Sequence, residues 1–283
     1  IRTVKAIAPS FGGINLEDIA APRCFEVEAA LQEIGIPVFH DDQHGTAIVL
    51  LAALMNSAKV VGKQIEDMKV VINGAGAAGI AIARLLRCVG HNPAVCVPVA
   101  DILVCDSQGI VSSSRENLTD EKKSILSWTN RGNKTGTVED ALVGADVFIG
   151  VSKGNILKAN NIESMAKDPI ILAMANPIPE IMPDQAKHAG AAIVGTGRSD
   201  FPNQVNNVLA FPGIFRGALD AMATRITESM KIAAAHGLAS AVPESELSSE
   251  KILPDPLDKS VALLVAEVTA QAARDEGVIR GKV

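Results

Sequence analysis

The stretch Val70-Val71-Ile72-Asn73-Gly74-Ala75-Gly76-Ala77-Ala78-Gly79 constrains this chain more than any other. Three β-favouring apolar residues run into a G-x-G-x-x-G turn, and Ile80, Ile82, Leu85 and Leu86 follow with a helical face. Each glycine meets a separate demand of a dinucleotide turn. Gly74 permits the sharp bend, Gly76 lets a pyrophosphate come close to the backbone, and Gly79 lets the helix lie against the strand. The first turn of the helix, from Ala77, then offers unpaired N–H groups and a positive dipole end to phosphates. A plain glycine-rich turn is the alternative, and the strand before and helix after weigh against it.

Such a site asks for an acidic residue at the end of the next strand. Ile102-Leu103-Val104-Cys105-Asp106 supplies it. Asp106 lies further on than the usual ~20 residues, and the Pro-containing segment from His91 to Ala100 is the natural place for the extra length. A carboxylate there accepts hydrogen bonds from ribose hydroxyls and repels a 2′-phosphate. Ser107 and Gln108 follow, with no adjacent Arg or Lys, so NAD is expected, with NADP possible. A turn aspartate at a strand end is the other reading of Asp106.

Composition closes off other classes. The 283 residues are 48% hydrophobic and 20% charged, enough to build a large core. The net charge of −6, with no Lys/Arg run, argues against nucleic acid. The apolar run at residues 48–54 is far short of a membrane span, and no signal peptide is recognisable. Cys24, Cys88, Cys96 and Cys105 show no C-x-x-C spacing and read as reduced thiols of a cytoplasmic protein. The chain contains no tyrosine and begins at Ile1, so it is expected to be a fragment whose upstream region is missing.

Strand and helix patterns alternate through the middle. Strands are expected at residues 69–73, 102–106, 147–150, 170–176 and 191–195, with helices at 77–89, 137–143 and 183–188 between them. That alternation predicts an α/β fold, a doubly wound parallel sheet of the Rossmann type, covered on both faces. Shorter strands at 14–18 and 37–40, helices at 24–34 and 43–61, and two helical stretches at 215–237 and 257–277 predict part of a second α/β domain. Residues 243–256, rich in Ser, Glu and Pro, read as a surface loop. The expected division is a dinucleotide-binding domain at 42–206, with 1–41 and 207–283 forming parts of a split substrate and metal domain.

Two acidic motifs stand at expected strand ends, where open α/β sheets bind ligands: Leu16-Glu17-Asp18-Ile19 and His40-Asp41-Asp42-Gln43-His44-Gly45. Oxygen-only ligation by such carboxylates suits Mg²⁺ or Mn²⁺. Helix capping by Asp41 or Asp42 is the plainer alternative, and His40 with His44 raises zinc. Asn176, before Pro177, and the pair Asn206-Asn207 place neutral amides where they can hydrogen-bond a carboxylate or hydroxyl, or simply serve a turn or cap.

These motifs, with Gly13-Ile14-Asn15 before the first and Phe211-Pro212-Gly213 after Asn207, occur in collinear order over nearly the whole chain. Together they resemble malic enzymes of the short bacterial type. The resemblance implies oxidation of malate and decarboxylation to pyruvate and CO2, with reduction of NAD or NADP and a divalent metal. It implies Glu17, Asp18 and Asp42 as metal ligands and Asp41 as the neighbour of the general-base lysine. Asn176 and Asn207 match substrate-binding asparagines, while Gly74, Gly76, Ala77, Gly79, Asp106 and Asn176 match the cofactor site. The family's tyrosine acid and lysine base lie upstream of Glu17, and neither has a counterpart here. Lys153 and Lys187, near expected sheet ends, are the only substitutes. The expected partners are malate and pyruvate and a second copy of the chain, as a homodimer, with no nucleic acid or membrane. The alternatives are a malolactic conversion of malate to lactate with the same parts, and a non-catalytic NAD-binding module.

Overall fold

Apolar strands alternating with helices form one six-stranded sheet in the computed structural model, which describes residues 1–90 and 95–281. Before the sheet come α1 (Arg2–Ile7), β1 (Ile14–Leu16), α2 (Arg23–Leu31), β2 (Val38–His40) and the long α3 (Asp41–Val61). β1 and β2 pair in parallel, Leu16 opposite His40, so both acidic motifs emerge from the same end of a two-stranded ribbon. The sheet proper comprises β3 (Lys69–Asn73), β4 (Asp101–Asp106), β5 (Gly109–Ile110), β6 (Val147–Gly150), β7 (Ile170–Ala173) and β8 (Ile193–Thr196). Its helices are α4 (Ala77–Leu86), α5 (Asp120–Ile125), α6 (Val138–Leu142), α7 (Ala159–Glu163) and α8 (Pro183–His188). Three helices follow: α9 (Phe211–Asp220), α10 (Glu228–Ser240) and α11 (Lys259–Asp275).

The strand order is β5-β4-β3-β6-β7-β8, all parallel except β5, which turns back on β4. Side chains alternate across it. Val70, Ile72, Ile102, Val104, Ile149 and Leu172 pack under α3 and α4 on one face. Val71, Cys105, Phe148, Ile171 and Val194 pack on the other with Leu142, Ile162 and Ala186. Burial on both faces explains why these strands read as continuous apolar runs rather than an alternating pattern. α3 is the most apolar long element, and its length and composition alone would let it cross a membrane. Here it is core, with residues such as Ile48, Leu50 and Leu54 sealed between α4 and α10.

Several expectations need correction. The helical stretch at 215–237 is two helices, α9 and α10. The chain breaks at Met222, in the left-handed region at φ 53°, and Thr227 recaps it by accepting the N–H of Met230. The loop at 243–256 is not wholly superficial: Ile252 and Leu253 are buried, and the Ile252 N–H donates to Asn203 Oδ1 at 2.9 Å. Cys88 and Cys96 are not thiols but a disulfide. Cys88 takes a left-handed conformation just past α4, which brings its Cα to 5.8 Å from that of Cys96. Cys24 and Cys105 remain buried thiols, the latter pushed up to about 12 by burial and by Asp106. Residues 91–94, within the segment invoked for the extra length before Asp106, lie outside the described residues.

Asn56 shows how α3 organises its surroundings. Fully buried, its amide donates to Ala239 O at the end of α10 and to Ile252 O, both at 2.9 Å. Replacing it, Asn56→Ala, strips a donor from two buried carbonyls and is expected to cost about 2–3 kcal/mol. Urea unfolding should show a lower midpoint at unchanged slope. A midpoint equal to the parent's would refute this account of Asn56.

Candidate active site

Neighbouring strand ends aim at one crevice. The chain leaves β3 to one side for β4 and returns to the other side for β6, so the order reverses beside β3. In such sheets the gap beyond the carboxyl ends of the strands at that reversal receives the ligand. A crevice of about 600 Å³ lies there, lined by Gly74, Gly76, Asp106, Lys122, Ser152 and Lys153. Gly74, at φ 132°, has no room for a side chain, since a Cβ would stand 2.8 Å from Val151 O. Gly79 packs closer still, a Cβ there falling 1.7 Å from Gly74 O. Gly76 faces open space at the start of α4, as an approaching phosphate would need. The steric expectations at Gly74 and Gly79 have a geometric counterpart.

Asp106 ends β4 at the same crevice, but its surroundings differ from expectation. Arg115 grips its carboxylate with two nitrogens, at 2.9 and 3.0 Å, and Lys122 Nζ lies 2.6 Å from Oδ2. The tight β4–β5 hairpin returns the chain and carries Arg115 back, and α5 brings Lys122 over the strand end. Burial alone would raise the carboxyl, but these cations outweigh it and hold it at about 2. The absence of a basic residue next to Asp106 in sequence is therefore reversed in space.

A second cluster forms where β2 runs into α3. Asp41 and Asp42 occupy the first turn of α3, where the helix dipole favours negative charge. The backbone N–H of Asp18, itself left-handed at φ 55°, donates to Asp42 Oδ2 at 2.9 Å. Glu17 accepts from Asn15 at 2.7 Å. Asn207 Nδ2 donates to Asp41 Oδ2 at 2.5 Å, while Asp41 Oδ1 is buried with no partner. Burial, together with the charges of Glu17 and Asp42, pushes Asp41 up to about 7 against the pull of the Asn207 bond. His40 Nε2 faces this cluster, 3.6 Å from Asp42 Oδ2, whereas His44 is turned away from it. Gln43 donates to His40 Nδ1 at 2.7 Å; His44 Nε2 meets Glu28 at 2.7 Å, and its Nδ1 lies 3.2 Å from Lys231 Nζ.

The family pattern described as "Malic enzyme, NAD binding domain" matches residues 43–274. The chain belongs to the malic enzyme family. It is 57% identical over 282 residues to the bifunctional malic/malolactic enzyme of Bacillus subtilis, covering 99% of this chain and 67% of that protein. Against the NAD-dependent malic enzyme of Geobacillus stearothermophilus, identity is 50% over 281 residues, 99% of this chain and 57% of the relative. The malic enzyme of Pyrococcus horikoshii superposes over 100% of this chain and 65% of its own, with a TM-score of 0.91 and 48% identity. The chain thus spans between somewhat over half and two thirds of these malic enzymes.

Within this malic enzyme chain, Asp41 and Asn207 meet directly, and Asp18 meets Asp42. Asn176 is exposed at a cis Asn176–Pro177 bond beyond β7, which ends at Ala173 rather than at Asn176. Lys153 lines the dinucleotide crevice, whereas Lys187 is engaged by Glu250 at 2.7 Å. A hard divalent cation suits the all-oxygen donors and the orphaned Asp41 Oδ1. Yet among the described residues no three His, Cys, Asp or Glu side chains stand in a metal-holding group, so a cation would have to draw in the exposed Glu17 and Asp18. Three residues of the site carry no signal in the sequence: Arg115, Lys122 and the buried Glu180, whose carboxyl burial pushes upward.

Asp106 yields a prediction with a definite sign. Its folded pKa lies below that of an unfolded aspartate, so its contribution is present above about pH 4 and is lost as pH falls through about 2. Asp106→Asn should cost about 2 kcal/mol at neutral pH, with the gap to the parent closing in acid. The same variant frees Arg115 and Lys122 for a 2′-phosphate, shifting preference toward NADP by about tenfold or more. Chemical denaturation at several pH values and cofactor titration read the two effects. A gap constant with pH, or an unchanged NAD/NADP ratio, would contradict this account.

Proposed function

We propose that this chain carries the cofactor, metal and part of the substrate site for oxidative decarboxylation of malate to pyruvate and CO2, with reduction of NAD, or secondarily NADP. The observation that carries the reading is that one chain of the malic enzyme family holds both a dinucleotide crevice at the switch point of its sheet and a carboxylate cluster built around Asp41, Asp42 and Asn207. In this reading residues 42–206 hold the dinucleotide, and 1–41 with 207–283 hold metal and substrate.

The turn at Gly74 and Gly76 and the start of α4 at Ala77 seat the pyrophosphate, with Gly79 keeping α4 close to β3. Asp106 takes the ribose hydroxyls. Asn176 and Asn207 would orient malate by hydrogen bonds to its hydroxyl and carboxylates, and the dinucleotide, when bound, would supply the hydride acceptor. Glu17, Asp18 and Asp42 would hold Mg²⁺ or Mn²⁺, which when bound supplies a Lewis acid for the C2 oxygen. Asp41, raised by burial beside Glu17, is placed to accept a hydrogen bond from a protonated base. The base and acid themselves are assigned to the part of the family's length that this chain does not span. A cytoplasmic location and a homodimer are parts of this proposal; the exposed apolar Ile7, Phe11 and Leu219 support the second.

Similarity to a bifunctional malic/malolactic enzyme of B. subtilis gives a second reading substance: malate converted to lactate without net release of NADH. With the full-length protein, malate, NAD and Mn²⁺, we expect NADH and pyruvate in equal amounts, at about 1–10³ turnovers per second. Lactate without NADH would favour the malolactic reading. NAD binding without any turnover would favour a non-catalytic module. Residues 1–283 alone should bind NAD and gain thermal stability from it, but turn malate over poorly or not at all.

The metal assignment has its own check. Asp42→Asn should weaken Mn²⁺ binding by calorimetric titration while leaving NAD affinity nearly intact. Equal Mn²⁺ affinity in variant and parent would remove Asp42 from the ligand set, and a clear preference for Zn²⁺ would return attention to His40 and His44.

A further inference from the structure

Glu180 is a fully buried carboxylate that no step of the proposed reaction uses. It follows the Asn176–Pro177 turn, and its two oxygens go to two different loops. Oε2 accepts the N–H of Ala175, directly before Asn176, at 3.0 Å. Oε1 accepts the N–H of Ser152, in the loop beyond β6, at 3.3 Å. Ser152 continues the connection, its Oγ accepting from Asn73 Nδ2 at 2.6 Å, and Asn73 is the residue before Gly74. The main chain runs the same way, since the N–H groups of Ile156 and Leu157 both donate to Glu180 O at 3.0 Å. Space for the carboxyl is left by Gly150, where a Cβ would fall 2.2 Å from Glu180 Cδ.

Burying a carboxylate is costly unless its oxygens are satisfied, and backbone N–H groups can satisfy them only while held in place. The relation works in both directions: the loops solvate Glu180, and Glu180 fixes the loops. Those loops end β3, β6 and β7, whose last residues Asn73, Gly150 and Ala173 stand in one register row. Asn73 and Ser152 line the dinucleotide crevice, and Asn176 follows Ala175. We infer that Glu180 is a positioning residue for the dinucleotide crevice, a single buried carboxylate that sets the β6 and β7 loops, and through Ser152 the glycine turn, in the arrangement that receives the nicotinamide cofactor. The inference rests on the dinucleotide reading of the crevice and adds a residue to it that touches no cofactor itself.

The test measures NADH binding by fluorescence titration of the chain, alongside its unfolding midpoint. Glu180→Gln keeps the volume but turns one acceptor into a donor facing a backbone N–H. It should weaken NADH by about five- to thirtyfold, part of the roughly 10- to 150-fold that one charge-assisted hydrogen bond is worth, because the lost bond acts on the cofactor only through the loops. Ser152→Ala, at an exposed position, leaves the fold intact and cuts the same connection, so it should give a smaller loss of the same sign and decides the matter should the glutamine variant not fold. Asn56→Ala, destabilising but remote, should leave NADH affinity within about twofold, as distant sites act independently. NADH affinity unchanged in Glu180→Gln, or in Ser152→Ala where that variant decides, would overturn the inference. So would an equal loss in Asn56→Ala, which would reduce the effect to stability alone. Failure of the unmodified chain to bind NADH would instead overturn the dinucleotide reading on which the inference rests.

Discussion

The burial of α3 is the constraint on which the rest of the structure depends. Its middle is apolar on nearly every face, so it can lie only between other elements, and it takes up the space between α4 and α10. That position carries both ends of the helix to fixed places. At the start, Asp41 and Asp42 are delivered to the edge of the core, half out of water, beside Asn207 from the later part of the chain. At the far end Lys63 reaches Asp146 at 2.7 Å, and Asp146 in turn accepts the N–H of Lys69 at the head of β3. The carboxylate cluster and the dinucleotide strand are thus two ends of one rigid support.

Electrostatics then divides the site into two unlike halves. Around Asp106 a carboxylate is over-supplied with cations, which keeps it ionised far into acid. Around Asp41 carboxylates gather with too few partners, which raises Asp41 and leaves one of its oxygens unsatisfied. The first arrangement is balanced in charge by the chain's own Arg115 and Lys122. The second is complete only when something positive arrives, so it is the half expected to respond to a cation.

Glu180 illustrates how a parallel sheet assembles a site from segments distant in sequence. Strand ends in register bring loops side by side, but side-by-side loops are not fixed loops. A buried group with two acceptors, each held by a different loop, supplies the fixing. The same logic explains the weak signal such a residue leaves in the sequence, since a glutamate after Pro-Ile-Pro looks like any other surface acid until its burial is known.

The sequence by itself determined the period of the elements and the chemistry of the turn. Lys69–Asn73 and Val147–Gly150 were legible to the residue because double-sided burial demands uninterrupted apolar runs, and Gly74 and Gly79 because only glycine meets their steric demands. The carboxylate motifs were legible as chemistry, since each sits within a few consecutive residues. What only the tertiary structure decided was which distant groups face them. Arg115 and Lys122 come to Asp106 through a two-residue strand and a short helix with too few residues for a periodic signal. Cys88 and Cys96 meet through a left-handed turn, and Met222 divides two helices that spacing alone joins into one. Local spacing encodes period and turn type, whereas pairing between segments depends on where packing sends each chain end, and packing is a property of the whole core.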